Sequence, residues 1–189
     1  NVLTAGLGLV AGDRASILAD NCLEYLEYFH ATAMVGVIAV PLNNRLAPPE
    51  LVEIVSRVEP KVIFYTAPYA DQAVELAQAV SAATVAIVTG GESSYEELLS
   101  QSRPNRGKYH VAPNDPATIC FTGGTTGLPK GVVIPHRSLA ACGPRAMFYQ
   151  GLSGFDRHLF VRPMAVAPGH RMTGQHGYST GTTIIVPRF

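Results

Sequence analysis

Charge is scarce in this chain, and long apolar runs are missing. Only 15% of its 189 residues are charged, against about 25% in an ordinary soluble domain. The 14 basic residues cancel the 14 acidic ones, and zero net charge argues against a general nucleic-acid binder. No apolar run approaches the ~18 residues of a membrane-crossing helix, so none is expected. Residues Asn1 to Leu9 lack the basic stretch that opens a secretory signal, and a soluble, cytoplasmic protein is expected. Cysteine is sparse too: Cys22, Cys120 and Cys142 are odd in number and far apart, which indicates neither a disulfide framework nor a CxxC site. Buried free thiols are the default. The six histidines include no HxxxH pair and no HExxH motif, and His170 and His176 fall on different helical faces, so no histidine metal site is expected. Hydrophobic residues nevertheless make up 47%, which excludes general disorder. A chain this long buries roughly 70% of its surface, as one large domain or two small ones.

The charge balance is a cancellation of unequal halves. Residues 1–113 hold 12 acidic and 7 basic residues, while residues 114–189 hold 2 acidic residues (Asp115, Asp156) and 7 basic ones. The second stretch has no glutamate and carries 11 of the 18 glycines. Such a segment suits an anionic ligand rich in oxygens, although a buried segment lacks charge for simpler reasons.

Periodicity predicts an α/β fold. Ala15–Leu18, Val37–Leu42, Val62–Tyr65 and Thr84–Val88 read as strands. Between them, Leu23, Leu26, Phe29, His30, Ala33 and Met34 outline one helical face, with Asn21 as a candidate N-cap and Gly36 as a stop. Pro48-Pro49-Glu50 opens a second helix with Leu51, Ile54, Val55 and Val58 on one face and Pro60 at its end; Ala70–Val80 is a third helix. Ser94–Leu99 is a short fourth, capped by Ser93 or Ser94. Alternation of strands with helices of about ten residues implies a largely parallel sheet covered on both faces. Ser100–Asn114 has prolines, bases and no periodicity, and reads as an exposed connector. It divides an α/β subdomain, residues 1–109, from a second and incomplete one, residues 110–189. In the latter, Ala117–Phe121, Val132–Ile134 and Thr182–Val186 read as strands, and Leu139–Tyr149 as a helix with Ser138 as its N-cap.

The informative segment is Thr122-Gly123-Gly124-Thr125-Thr126-Gly127-Leu128-Pro129-Lys130-Gly131. Glycines let the backbone approach a ligand without Cβ clashes, and successive N–H groups in such a turn make an anion nest. Three threonine hydroxyls and one lysine add donors and charge suited to a polyphosphate. It is not a Walker A loop, because Pro129 precedes Lys130 and Gly131 follows it, and it is not GxGxxG. The plain alternative is a hairpin connection between two strands.

This segment closely resembles the signature loop of the adenylate-forming superfamily, which includes acyl-CoA synthetases, peptide-synthetase adenylation domains and luciferases. Gly12-Asp13-Arg14, Pro41-Leu42-Asn43, Arg45-Leu46, Pro49-Glu50-Leu51 and His136-Arg137-Ser138-Leu139 are similar to the family over nearly the whole chain. Thr125-Thr126 in place of Ser-Thr favours the acyl-CoA synthetase branch over the peptide-synthetase branch. The resemblance implies that a carboxylate attacks the α-phosphate of ATP, giving acyl-adenylate and pyrophosphate, and that coenzyme A then displaces AMP. It implies that Thr122, Gly123, Gly124, Thr125, Thr126 and Gly127 hold the phosphates, that Thr122 supplies an oxygen to Mg²⁺, and that Lys130 neutralises phosphate or anchors the loop. His136 reads as a packing or capping-region residue, and Arg137, Arg145, Arg157, Arg162 and Arg171 contribute only a summed field.

Arg162 to Gly169 aligns with the family motif bordering the acyl pocket. Pro163 and Gly169 fit it, while Val166 stands at the usual histidine and Ala165 at a usual aromatic position. That predicts a roomier pocket walled by Ala165, Val166 and Gly169, with His170 nearby. Family motifs for the shared magnesium, adenine and ribose, and the catalytic lysine, are not in the 189 residues. The chain therefore reads as part of a fatty- or other carboxylic-acid:CoA ligase, inactive alone and prone to self-association through apolar surface. A non-catalytic phosphate- or nucleotide-binding module is the alternative from another class. No nucleic acid is expected as partner.

Overall fold

The computed structural model describes residues 2–87, 93–103, 109–122, 129–166 and 181–187. Six strands form one sheet: β1 (Arg14–Leu18), β2 (Ile38–Pro41), β3 (Val62–Thr66), β4 (Ala83–Ile87), β5 (Pro116–Thr122) and β6 (Lys130–Pro135). Their spatial order is β4-β3-β1-β2-β5-β6; β1 to β5 run parallel, and β6 pairs antiparallel with β5. Ala39 lies opposite Thr118, whose hydroxyl donates to the Ala39 carbonyl at 2.8 Å, so the sheet continues from β2 to β5.

Alternation along each strand sends side chains to two cores. Ala15 and Ile17 of β1 face α1 (Leu23–Val35), while Tyr95 brings α4 (Ser94–Gln101) onto the same core. Leu18, Val40 and Ile63 face the other core, built by α2 (Pro48–Val58) and α3 (Ala70–Val80). The expected α/β class with helices on both faces is the one observed. Beyond the sheet lie α5 (His136–Ala140), α6 (Cys142–Gln150) and a separate parallel pair, β7 (Arg157–Phe160) with β8 (Thr182–Ile185). Phe148 and Tyr149 of α6 and the nearby Phe155 are exposed.

The helix ends follow local chemistry. Gly36 stops α1 at φ 75°, where an L-residue would be strained, and a Cβ there would meet Ala11 Cβ at 3.1 Å. Ser93 caps α4, accepting from Glu96 N at 3.2 Å, while the Ser94 hydroxyl accepts from Ala86 N at 2.8 Å. The α2 face is as expected: Leu51, Ile54, Val55 and Val58 are buried.

Three expectations differ from the structure. The buried face of α1 is Tyr25, Tyr28, Phe29, Thr32 and Val35, so the stripe is turned, leaving Leu23, Met34 and His30 exposed. Tyrosine wins because the Tyr28 hydroxyl reaches backbone, donating to Ala15 O at 2.6 Å and accepting from Val40 N at 2.9 Å. Asn21 does not cap α1; the cap position is Cys22, and Asn21 bonds distant backbone instead. Ser138 is no N-cap, because the helix enters directly from Pro135 and breaks at Ala141. Strand β7 has no counterpart in the sequence reading. All three cysteines are free as expected; Cys120 and Cys142 are buried, and Cys22 is half-buried, its thiol pushed up to about 12 by burial and by nearby Glu24.

Asp13, nearly buried, accepts from Val10 N at 2.8 Å and pairs with Lys61 at 2.9 Å. Burial raises its carboxyl pKa, but the Val10 N–H and Lys61, with Arg14 nearby, outweigh burial and hold it below the ordinary 3.8. A depressed folded pKa adds stability above the unfolded value, about 3.9, and loses it as pH falls through the folded value. The stability difference between wild type and Asp13→Asn is thus expected to be full above about pH 5 and to shrink towards acid. Urea unfolding across pH checks this, and a pH-independent difference would contradict it.

Candidate functional site

The carboxyl ends of β1, β2, β3 and β5 share one edge of the sheet. In open α/β sheets ligands bind outside that edge, where successive helices pass to opposite faces. Here α1 leaves β1 for one face, while α2 and α3 leave β2 and β3 for the other. At that point lies a crevice of about 230 Å³ lined by Asp20, Asn44, Arg45, Tyr69 and Met164, among others. Asp20 Oδ1 accepts from Asn44 Nδ2 at 3.0 Å and from the Tyr69 hydroxyl at 2.8 Å, and Asn44 Nδ2 also lies 2.7 Å from that hydroxyl. One residue from each of three loops is thereby tied together. The sequence reading missed this cluster, since its members are 24 to 49 residues apart and belong to no local pattern.

On the same edge, β5 ends at Thr122 and β6 begins at Lys130, paired across the ladder. The Gly/Thr segment is therefore the connection of an antiparallel hairpin. Thr122 and Lys130 are both exposed, and the Thr122 hydroxyl donates weakly to the Lys130 carbonyl at 3.4 Å. Gly123, Gly124, Thr125, Thr126 and Gly127 lie outside the described residues. Gly131 has a packing reason. It faces Phe121, and a Cβ there would stand 3.0 Å from Ile119 Cγ2 and 3.1 Å from Phe121 Cζ. Arg57 of α2 donates to the Pro129 carbonyl at 3.1 Å and also to Glu53 at 2.8 Å, tying the loop's base to the scaffold. That anchor too was invisible in sequence, 72 residues away.

Of the expected pocket residues, Ala165 is buried in the core beside Met164, and Val166 is half-buried, its N–H 3.4 Å from the Pro163 carbonyl. Gly169 and His170 lie outside the described residues, as does Arg171. His136 opens α5, its Nε2 shut from solvent without a hydrogen-bond partner among the described residues. Desolvation lowers its pKa, and Asp115 partly opposes that. No cluster of three or more His, Cys, Asp or Glu able to hold a metal occurs among the described residues, and no described helix is long and apolar enough to cross a membrane.

The whole chain, residues 1–189, matches the AMP-binding enzyme family. The chain belongs to that family. Among curated members, the long-chain-fatty-acid–CoA ligase FadD13 of Mycobacterium tuberculosis is 40% identical over 140 residues, covering 74% of this chain and 27% of that protein. The fatty acid–[acyl-carrier-protein] ligase ScoC of Streptomyces coeruleorubidus is 30% identical over 185 residues, 96% of this chain and 35% of that protein. The chain thus spans about a third or less of these relatives. Among solved structures, the inhibitor-bound N-terminal domain of FACL13 from Mycobacterium tuberculosis superposes with a TM-score of 0.84 at 30% identity, covering 100% of this chain and 47% of that one. ATP-bound MatB from Rhodopseudomonas palustris gives 0.89 at 24% identity, covering 99% of this chain and 37% of that one, a likeness of fold.

Proposed function

We propose that the full-length protein is an AMP-forming acid–CoA ligase acting on a fatty or other carboxylic acid. The carboxylate attacks the α-phosphate of ATP, its oxygen forming the new P–O bond as pyrophosphate leaves. The thiol of coenzyme A, losing its proton, then attacks the acyl carbon, and AMP leaves. The observation that carries this reading is the placement of the Gly/Thr connection at the carboxyl end of β5, on the edge where the sheet's crevice opens. Within the protein, residues 1–109 act as scaffold, and residues 110–189 extend its sheet through β5 and β6 and carry the phosphate loop.

Such chemistry needs positioning and charge neutralisation more than covalent help. Thr122 to Gly127 hold the phosphates that depart as pyrophosphate, and Lys130 neutralises their charge. Thr122 fits a magnesium ion as one neutral oxygen ligand. Its exposed hydroxyl ends β5, and Mg²⁺ takes its other ligands from phosphate oxygens and water rather than from a protein cage. When bound, the ion neutralises phosphate charge. Pro163, Ala165, Val166 and Gly169 wall the acid pocket. The protein acts in the cytoplasm.

The test is acid-dependent ATP–pyrophosphate exchange by the full-length protein across a panel of carboxylic acids. Exchange without coenzyme A, and AMP plus thioester with it, are expected. ATP binding with no exchange for any acid would overturn the enzyme reading in favour of a non-catalytic nucleotide-binding module.

A further inference from the structure

We propose that Asn21 is a positioning residue for acid selection: it holds the Arg162–Val166 segment against the carboxyl end of β1. This rests on the reading of that segment as the wall of the acid pocket. Asn21 is 7% exposed and sits where β1 crosses to α1. Its amide serves no helix cap, yet its Oδ1 and both Nδ2 hydrogens are engaged. Oδ1 accepts from Met164 N at 2.8 Å, and Nδ2 donates to Arg162 O at 2.9 Å and Val186 O at 3.1 Å. The Asn21 backbone N–H adds a bond to Pro187 O at 3.3 Å. One side chain thus fastens both the candidate pocket wall and the exit of β8.

The pattern of donors and acceptor makes the residue hard to replace. Aspartate keeps the acceptor but turns a carboxylate oxygen towards two carbonyls, and alanine leaves one buried N–H and two carbonyls without partners. Asn21 is itself held in place, because its neighbour Asp20 is bound by Asn44 and Tyr69 from the loops after β2 and β3. The strand carrying Thr122 lies two places from β1 in the sheet, about 10 Å at ordinary strand spacing. Loosening the Asn21 contacts therefore moves the acid's wall and leaves the phosphate loop's anchors, the Thr122–Lys130 pair and Arg57, intact.

The experiment compares Asn21→Ala, Asn21→Asp and Val166→Phe in the full-length protein, measuring KM and kcat for ATP and for straight-chain acids of increasing length. For Asn21→Ala, acid KM is expected to rise about tenfold to a hundredfold, as a misplacement near 1 Å would cause. The order of acid preference should change while the KM for ATP stays the same, and Asn21→Asp should be at least as damaging. Acid and ATP parameters falling together, or neither changing, would overturn the inference. Val166→Phe tests the pocket reading separately. If it shifts acid preference and Asn21→Ala does not, only the Asn21 inference fails. If it leaves preference untouched, the pocket reading fails and takes the inference with it. Should Asn21→Ala not fold, Asn21→Ser with hydrogen exchange at the Met164 amide decides the matter. Faster exchange there than at β5 supports the clamp, and unchanged exchange refutes it.

Discussion

Replacing Thr122 or Lys130 by alanine in the full-length protein is expected to lower acid-dependent ATP–pyrophosphate exchange by about a hundredfold to a thousandfold, the usual cost of deleting one group that meets developing charge. The two residues face each other across the mouth of the β5–β6 hairpin, exposed on the ligand edge. Sequence left Lys130 with two roles, neutralising phosphate or anchoring the loop. The role proposed for it is the first. Anchoring is already supplied by the backbone ladder between Thr122 and Lys130 and by Arg57 on the Pro129 carbonyl, which supports the proposed role of the ammonium in neutralising phosphate. Lys130→Arg, which keeps the charge, should recover part of the rate, whereas Lys130→Met should not. Equal loss in both would return Lys130 to a shape-dependent role, and unchanged rates in both alanine variants would refute the assignment of the loop.

The second large effect concerns stability. Tyr28 is buried against Tyr25, Phe29 and Phe64 with ring centroids 6.1, 5.4 and 5.7 Å away. Its hydroxyl joins one backbone group of β1 to one of β2. Burial pushes that hydroxyl far above its ordinary pKa, with the Val40 N–H only partly opposing, so it remains protonated and bonds in both directions. Tyr28→Phe keeps the ring and removes the hydroxyl's two bonds to Ala15 O and Val40 N, an expected loss of about 1–3 kcal/mol. Tyr28→Ala also opens a cavity and should cost at least the roughly 3–5 kcal/mol typical of deleting a buried ring, a large share of a domain's about 5–15 kcal/mol. Tyr25 is the control. It is equally buried, but its hydroxyl has no hydrogen-bond partner among the described residues, so Tyr25→Phe should be neutral or slightly stabilising. Denaturant unfolding of the three variants checks this, and equal losses in the two phenylalanine variants would show that the bridging bonds contribute nothing.

What sequence reveals here divides by the range of the interactions involved. The α2 face, Gly36, the Ser93 cap and the alternation of strands and helices along the chain rest on neighbours within a turn or two, and periodicity exposes them. The α1 face was misplaced because apolarity favoured Leu23 and Met34, whereas a tyrosine with a backbone partner gains both burial and a satisfied hydroxyl. Asn21 was misassigned for a related reason: a polar residue before a helix reads as its cap, and nothing local says that partners 141 and more residues away compete for it. The Gly/Thr loop stood out because its composition is the chemistry. Its supports did not, because Arg57 and the Asp20–Asn44–Tyr69 cluster are made by strand order, and strand order is not written in any window of residues.

The Asn21 contacts also have a direction in time. Strands β1 to β4 are joined by short crossovers, so the middle of the sheet can form from contacts close in sequence. The amide of Asn21 is made before any of its side-chain partners, and the last of them, Val186, follows 165 residues later. Until then water must solvate it at the carboxyl end of β1. Closing so long a loop is entropically the most expensive of these contacts and belongs late in folding, when the scaffold already exists to receive it. The candidate acid pocket's wall is thus expected to dock after the middle of the sheet has formed.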